Sequence, residues 1–191
     1  MFGGLHIEMA ALKAIGSLLA GSGWVEAISD AGITTAGSAE GLLSASNARR
    51  SRRAHEVTLS ALHILQHLAF DKLCDKNVTF DDWCEQQRAD HRQFAFWSSV
   101  MQFQTAILVF VRALRDSNFE LYVQSLLDLL PWFFILDRTN YSRWLSVHVR
   151  DMQALSNTHP AVFSAFQNGK FTVQCAEIHT EIFCNAHRSG T

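Results

Sequence analysis

The sequence predicts a mainly α-helical protein, a bundle of about seven or eight helices. Hydrophobic residues make up 48% of the 191 positions, which is enough apolar material for a core. The chain has only two prolines and ten glycines. Leu, Ala, Phe and Ser recur, with few of the Val-Ile-Thr alternations that are typical of strands. Apolar residues instead return every three or four positions along most of the chain, as one face of a helix requires.

The first part of the chain predicts three short helices separated by glycines. Apolar residues at helical spacing mark the first of them, and it ends at Gly21 and Gly23. These residues are Leu5, Met9, Leu12, Ile15 and Leu19. Trp24 to Ala31 predicts a second, amphipathic helix. Ser38 is the predicted N-cap of a third, which reaches Ala45.

A long helix is predicted from Asn47 to Leu73, with arginines in its first turns and one apolar face. That face consists of Val57, Ala61, Ile64, Leu65 and Leu68. An amphipathic helix turns such a face toward a core. Thr79 then predicts an N-cap for a helix that begins at Phe80, where two acids suit the positive end of the helix dipole.

The second half predicts a helical hairpin and its neighbours. His91 to Arg115 is apolar on most sides, so we expect other helices around it. Ser117 opens its antiparallel neighbour, Phe119 to Leu136, which Pro131 should kink by removing a backbone hydrogen bond. Thr139 or Asn140 caps the next helix, which runs to about Ser156.

The remaining residues predict a short helix, at most one strand and a tail. The helix covers Ala161 to Phe166 and ends at Asn168 and Gly169. The alternation from Lys170 to Gln174 resembles a strand. We therefore predict one helical domain over 1–174, a fragment of a larger domain, and a divergent, loosely structured tail over 175–191.

Charge and cysteine content exclude several classes of protein. With 16 Lys and Arg against 18 Asp and Glu, the net charge of -2 argues against a surface that holds phosphate backbones throughout, so any nucleic-acid contact must be local. The four cysteines match neither a zinc site nor a compact disulfide framework. No secretory signal and no membrane span is apparent. We expect an intracellular protein of the nucleus or cytoplasm, with no cofactor.

The arginine cluster Arg49, Arg50, Arg52 and Arg53 is the candidate nucleic-acid site. Four guanidiniums at a helix N-terminus oppose the positive end of the dipole, so a compensating group is expected. Phosphates would serve, and so would a buried acidic partner. A solvated face supported by Glu56 and a nuclear-targeting signal are the alternatives.

Histidines and one acid give weak metal candidates. His63 and His67 lie four apart on one predicted helix, but they lack the glutamate of a zincin and a nearby third ligand. His6 and Glu8 follow two glycines at a helix start, where free N–H groups can hold an anion. The glycines alone also explain a tight helix entry. Cys84 has no histidine at useful spacing, which argues against nucleophilic chemistry.

A polar group follows the aromatic run at residues 132–134 and predicts a structural network. Its members are Asp137, Arg138, Asn140, Arg143, His148 and Asp151. Burying these groups beside aromatic rings requires pairing, because an unpaired buried charge costs several kcal/mol. We predict an Asp–Arg network that locks the helical hairpin, with a catalytic or ligand role as the alternative.

Four segments carry a family resemblance: GGLHIEMAALKAIGSLLAGSGW, RRSRRAHEVTLSALHILQ, LPWFFILDRTNYSRWLSVHVRDM and NGKFTVQ. In this order they resemble an uncharacterised family of multidomain, mobile-element-derived proteins that is abundant in cnidarian and other invertebrate genomes. The resemblance covers about residues 2–174. It implies conserved sequence on both sides of the chain, so we expect a truncated member whose Met1 is an internal methionine.

These features favour a helical module of a mobile-element-derived protein, a scaffold or a nucleic-acid-facing insertion without catalysis of its own. Its partner would be nucleic acid at the arginines or another part of a larger protein. A metal-dependent, transposase-like nuclease is one alternative, in which His6, Glu8, Asp137 or Asp151 would converge on a divalent ion. A protein-interaction domain that uses exposed aromatics is another.

Overall fold

The computed structural model describes residues 3–73 and 77–172. These residues contain ten α-helices joined by turns and short loops. No strand occurs within those ranges, so the predicted mainly α class is confirmed, and the helix count slightly exceeds the expected seven or eight. The helices are α1 (Gly4–Leu19), α2 (Trp24–Asp30), α3 (Ala36–Leu43), α4 (Ala48–Leu73), α5 (Phe80–Asp90), α6 (Arg92–Arg115), α7 (Phe119–Ile135), α8 (Thr139–Gln153), α9 (Leu155–Thr158) and α10 (Pro160–Gln167).

The helices form two compact units. Within the described residues, the N-terminal unit covers 5–73 and 77–108, and the C-terminal unit covers 109–172 together with residues 3 and 4. The predicted tail over 175–191 lies outside the described residues.

The N-terminal unit is built around α1, which is buried along most of its length. Small residues let other helices approach it closely. A Cβ added at Gly16 would lie 1.9 Å from the carbonyl oxygen of Leu43, at the end of α3. The core of this unit therefore depends on the missing side chain at one position of α1.

The C-terminal unit has an aromatic cluster where α7 meets α10. Phe119 on α7 packs edge-on against Phe166 and Phe171, with ring centroids 5.3 and 5.5 Å away, and Tyr122 lies 5.3 Å from Phe171. The hairpin between α7 and α8 completes this unit.

Residues 170–172 form a turn where the alternating pattern predicted a strand, and that prediction is wrong for these positions. The chain closes onto α10 through bonds from the Gly169 N–H to the Phe166 carbonyl and from the Lys170 N–H to the Ala165 carbonyl. Gly169 has a φ of 81°, as a helix-ending glycine requires. Phe171 then packs into the aromatic cluster. Residues 173 and 174 lie outside the described part.

Helix starts confirm one predicted cap and correct three others. The Thr79 hydroxyl accepts a bond of 3.2 Å from the Asp82 N–H and donates one of 2.7 Å to its carboxylate. For α7 the cap is Asn118, not Ser117, because the Asn118 side chain accepts from the Leu121 N–H at 2.9 Å. Thr35 precedes α3 where Ser38 was expected. Arg138 precedes α8, so neither Thr139 nor Asn140 caps it.

Helix α6 is long and apolar enough to cross a membrane on length and composition alone. A core helix passes the same test, and half of its apolar window is buried inside the protein. Gln104 of this helix is fully buried, and its amide nitrogen lies 3.1 Å from Nδ1 of the buried His55. Since such a polar pair is typical of a protein interior, we interpret α6 as a core helix.

Candidate functional site

The second half of α4 presents an apolar stripe that the N-terminal unit leaves uncovered. Ile64, Leu65, Leu68 and Leu73 are 60%, 60%, 49% and 76% exposed. The sequence predicted that the face containing the first three turns toward a core. For these residues that prediction is wrong. The buried residues of α4 all lie in its first turns, at Ser51, Ala54 and His55.

The position of α5 explains why the stripe is open. Phe80 of α5 stacks on His67 at 4.2 Å between ring centroids and meets Phe70 edge-on at 5.4 Å. Trp83 of α5 packs on the same Phe70 at 5.6 Å. Helix α5 therefore packs on the side of α4 that carries Phe70, and Ile64, Leu65 and Leu68 remain exposed.

A groove of about 630 Å³ lies beside the stripe, between α4, α5 and the start of α6. Its apolar lining includes the buried Trp83, which meets Phe94 edge-on at 5.6 Å. Leu65 and Leu73 belong to both the stripe and the groove. Polar residues at the junction of α5 and α6 also line it: Gln87, Asp90, His91, Arg92 and Gln93. An apolar concavity with a few polar groups is the usual form of a binding site.

The structure separates the four predicted arginines. Arg52 is drawn inward by Glu8, whose Oε1 lies 2.5 Å from Nη2 and 2.8 Å from Nε. Glu8 is buried, so this is a buried acidic partner, one of the two compensating groups that the sequence left open. Arg53 forms an exposed pair with Glu56 at 3.2 Å. Arg49 and Arg50 are exposed.

Two of these arginines line a second cavity of the N-terminal unit. It measures about 670 Å³ and lies between α3, the loop before it and the first turns of α4. Arg50 and Arg53 share it with hydroxyl, amide and glycine residues. Arg52 is not part of its lining.

The metal candidates do not converge. His6 and His63 are exposed, His67 stacks on Phe80, and Glu8 is held by Arg52. Across residues 3–73 and 77–172, no group of three or more His, Cys, Asp or Glu side chains could hold a metal ion. Burial raises the pKa of the Cys84 thiol, and the charge of Asp81 adds to this shift, so the thiol stays protonated and is a poor nucleophile.

The predicted polar network is largely on the surface. Four of its six members are exposed: Asp137, Asn140, Arg143 and Asp151. The burial that motivated an Asp–Arg network is therefore missing for them. Asp151 pairs with its neighbour Arg150, also exposed, at 2.8 Å. Arg138 is half-buried at the N-cap of α8.

His148 is the network member with a different role. Its Nε2 lies 2.9 Å from the hydroxyl of Tyr122, so this contact joins α8 to α7. Burial lowers the pKa of His148 and raises the pKa of Tyr122 to about 12. A neutral imidazole next to a protonated phenol follows, which is a stable hydrogen-bonding pair at neutral pH.

His55 and Gln104 are the buried polar residues that sequence reasoning missed. The His55 ring stacks on Trp24 at 5.4 Å, and burial lowers its pKa to about 4. The indole N–H of Trp24 donates to the Thr58 hydroxyl at 2.9 Å. The sequence around His55 gives no sign of its contact with Gln104, because Gln104 belongs to α6 and lies 49 residues further along the chain.

A family model for a domain of unknown function, DUF8702, matches residues 63–185. The chain belongs to this family. The DUF8702 match includes the whole apolar stripe of α4 and most of the groove, whereas the arginines and Glu8 lie before it. No curated protein and no solved structure matches the chain.

Proposed function

We propose that the chain is a protein-interaction scaffold, and that the α4 stripe and its groove bind an amphipathic helix of a partner protein. Four large aliphatic side chains exposed within ten residues of one helix carry this proposal. Exposed apolar patches of a few hundred Å² mark interaction sites on soluble proteins. The stripe belongs to the family domain itself.

The shape and chemistry of the groove suit a helix. Helix α4 lines the groove from Leu62 to Leu73, over about 17 Å at 1.5 Å per residue, which is about three helical turns. Helices that bind in grooves use apolar anchors at i, i+3, i+4 and i+7. Asp90 and Arg92 carry opposite charges and can select partners through polar contacts beside these anchors.

The exposed aromatics that the sequence expected for an interaction surface are Phe134 and Trp144, at 59% and 55% exposure. They lie in the C-terminal unit on two different helices, α7 and α8, whereas the four exposed aliphatic side chains lie on one helix next to a groove. The groove of the N-terminal unit is therefore the better candidate. The mobile-element origin and the nucleic-acid-facing role stay predictions.

The test measures binding of a defined probe, a 14-residue amphipathic peptide with leucines at i, i+3, i+4 and i+7. Calorimetry with the full chain should show binding, and a peptide with the same residues in scrambled order should bind at least about tenfold more weakly, a difference of about 1.4 kcal/mol. The double change Leu65→Glu and Leu68→Glu should abolish binding of the ordered peptide.

A control places a negative charge elsewhere on α4. His63 is exposed and lies outside the groove lining, so His63→Glu should leave binding unchanged. Both variants should keep the wild-type unfolding midpoint, because the changed side chains are exposed. Equal binding of the ordered and scrambled peptides, or full binding by the Leu65 and Leu68 variant, would overturn the proposal.

A further inference from the structure

We propose that the cavity between α3 and α4 is a binding site for a phosphate monoester, held by Arg50 and Arg53. Its volume of about 670 Å³ lies within the range of about 300–1,000 Å³ that is usual for small-ligand sites. This site is separate from the apolar groove, and none of its lining residues is shared with it.

The two arginines are placed for joint recognition. They lie three residues apart on α4, so both side chains leave the same side of the helix. A guanidinium presents a planar fork of N–H groups that matches two phosphate oxygens. A phosphate monoester carries about -1.5 to -2 charges at neutral pH, which two guanidiniums balance.

The opposite wall can add uncharged donors. The Ser38 hydroxyl accepts a hydrogen bond of 3.1 Å from Thr35, so its own proton is available to a ligand. Thr35 precedes α3 without a side-chain cap, and its carbonyl accepts from the N–H groups of Ser38 and Ala39, so those two donors are already used. Gly37 in that turn also lines the cavity, and a Cβ added there would meet nothing within 4 Å. Its backbone is therefore accessible.

The same features favour a monoester over a nucleic-acid backbone. Duplex binding typically neutralises several phosphates along an extended surface. Here Arg52 is tied to Glu8, Arg49 lies outside the cavity lining, and the net charge of the chain is -2. A concave site with two guanidiniums fits one terminal phosphate group.

Glu56 is a competitor for the ligand. Its Oε2 accepts from Nη1 of Arg53 at 3.2 Å, so a bound phosphate must share or displace this contact. Both side chains are substantially exposed, so the contact is weak and reversible. Removing the Glu56 charge should therefore strengthen phosphate binding by a few fold.

The experiment titrates the full chain with phenyl phosphate at pH 7.5, followed by calorimetry and by NMR shifts of arginine side-chain N–H groups. Arg50→Gln and Arg53→Gln should each weaken binding at least about tenfold, as the loss of a charge-assisted hydrogen bond requires. Arg49→Gln removes the same charge from the same helix outside the cavity and should change affinity less than about threefold. Glu56→Gln should tighten binding.

Three results would overturn the proposal. One is absence of phenyl phosphate binding by the folded protein at millimolar concentration. Another is an equal loss in the Arg49, Arg50 and Arg53 variants, which would indicate general charge attraction. The third is a preference for duplex DNA over phenyl phosphate, with a steep salt dependence that all three variants reduce alike. Because the peptide test of the groove involves none of these residues, either proposal can fail alone.

Discussion

At the scale of single residues, the most consequential interior group is the neutral His55. Gln104 contacts its Nδ1, and Nε2 has no hydrogen-bond partner among the described residues. A buried imidazolium here would lack both water and a counter-charge. Its pKa of about 4 in the folded chain, against about 6.5 in an unfolded chain, makes this histidine a source of acid instability.

We expect His55 to reduce the free energy of unfolding by about 3 kcal/mol as the pH falls from 7 to 4. Below pH 6.5 the histidine of the unfolded chain binds a proton, whereas His55 in the folded chain binds one only near pH 4. Stability from this group is therefore complete above pH 6.5 and is lost as the pH falls. Urea unfolding at pH 7 and at pH 4 measures the loss.

The variants isolate this contribution. His55→Gln should have a smaller difference between the two pH values than the wild-type chain, whatever its absolute stability. His63→Gln, at an exposed position on the same helix, should keep the wild-type difference. If both variants show the wild-type difference, His55 does not govern the acid response.

Residue type and spacing cannot decide which of the four arginines is buried, as Arg52 shows. The four arginines are close in sequence and alike in chemistry, yet Glu8, 44 residues away, buries only this one. Removing one partner of a buried pair leaves the other charge uncompensated, at a cost of about 3–5 kcal/mol. A variant lacking all four arginines would therefore confound lost binding with lost folding, and tests of the surface must keep Arg52.

At the scale of helices, close packing makes one glycine irreplaceable and leaves another free. We expect Gly16→Ala to destabilise the chain by several kcal/mol, because its Cβ would overlap the Leu43 carbonyl in backbone that cannot move locally. Gly37→Ala should be neutral or stabilising by up to about 1 kcal/mol, because a Cβ there meets open space and alanine favours helix. Denaturant midpoints of the two variants measure this contrast. Equal midpoints would show that α1 and α3 do not pack closely at Gly16.

Helix positions were predictable from the sequence, but which helix face is covered was not. The spans of α6 and α7 follow from local periodicity and agree with the structure within one or two residues. The face of α4 depends on where α5 packs. Phe80 and Trp83 of α5 pack on Phe70, and no pattern within α4 specifies that this side is the covered one.

Local alternation was equally misleading at the C-terminal end of the described chain. Residues 170–172 alternate like a strand, but a strand needs a neighbour to pair with. Gly169 with positive φ and the aromatic ring of Phe171 fix a turn instead. Phe171 packs instead on aromatic side chains of α7 and α10. This contact depends on the packing of the two helices, so no local pattern in the sequence shows it.

At the scale of the whole molecule, burial predicts an uneven distribution of local stability. Segments with few buried side chains open more readily than the core, because less apolar surface opposes their opening. Helix α1 is buried along most of its length, whereas residues 61–73 of α4 contain no fully buried side chain. We expect amide hydrogens in 61–73 to exchange faster than those in 48–58 of the same helix.

Hydrogen exchange with mass spectrometry can measure this gradient in the full chain and also locate the binding surface. Addition of the ordered amphipathic peptide should slow exchange in 61–73 and in α5, while α1 and residues 48–58 keep their rates. A partner helix lying on Leu65 and Leu68 would shield the backbone beneath it and oppose local opening. Uniform exchange along α4 would contradict the predicted gradient. Slowing that reaches α1 as strongly as 61–73 would indicate global stabilisation, and the stripe would then lose its role as the docking surface.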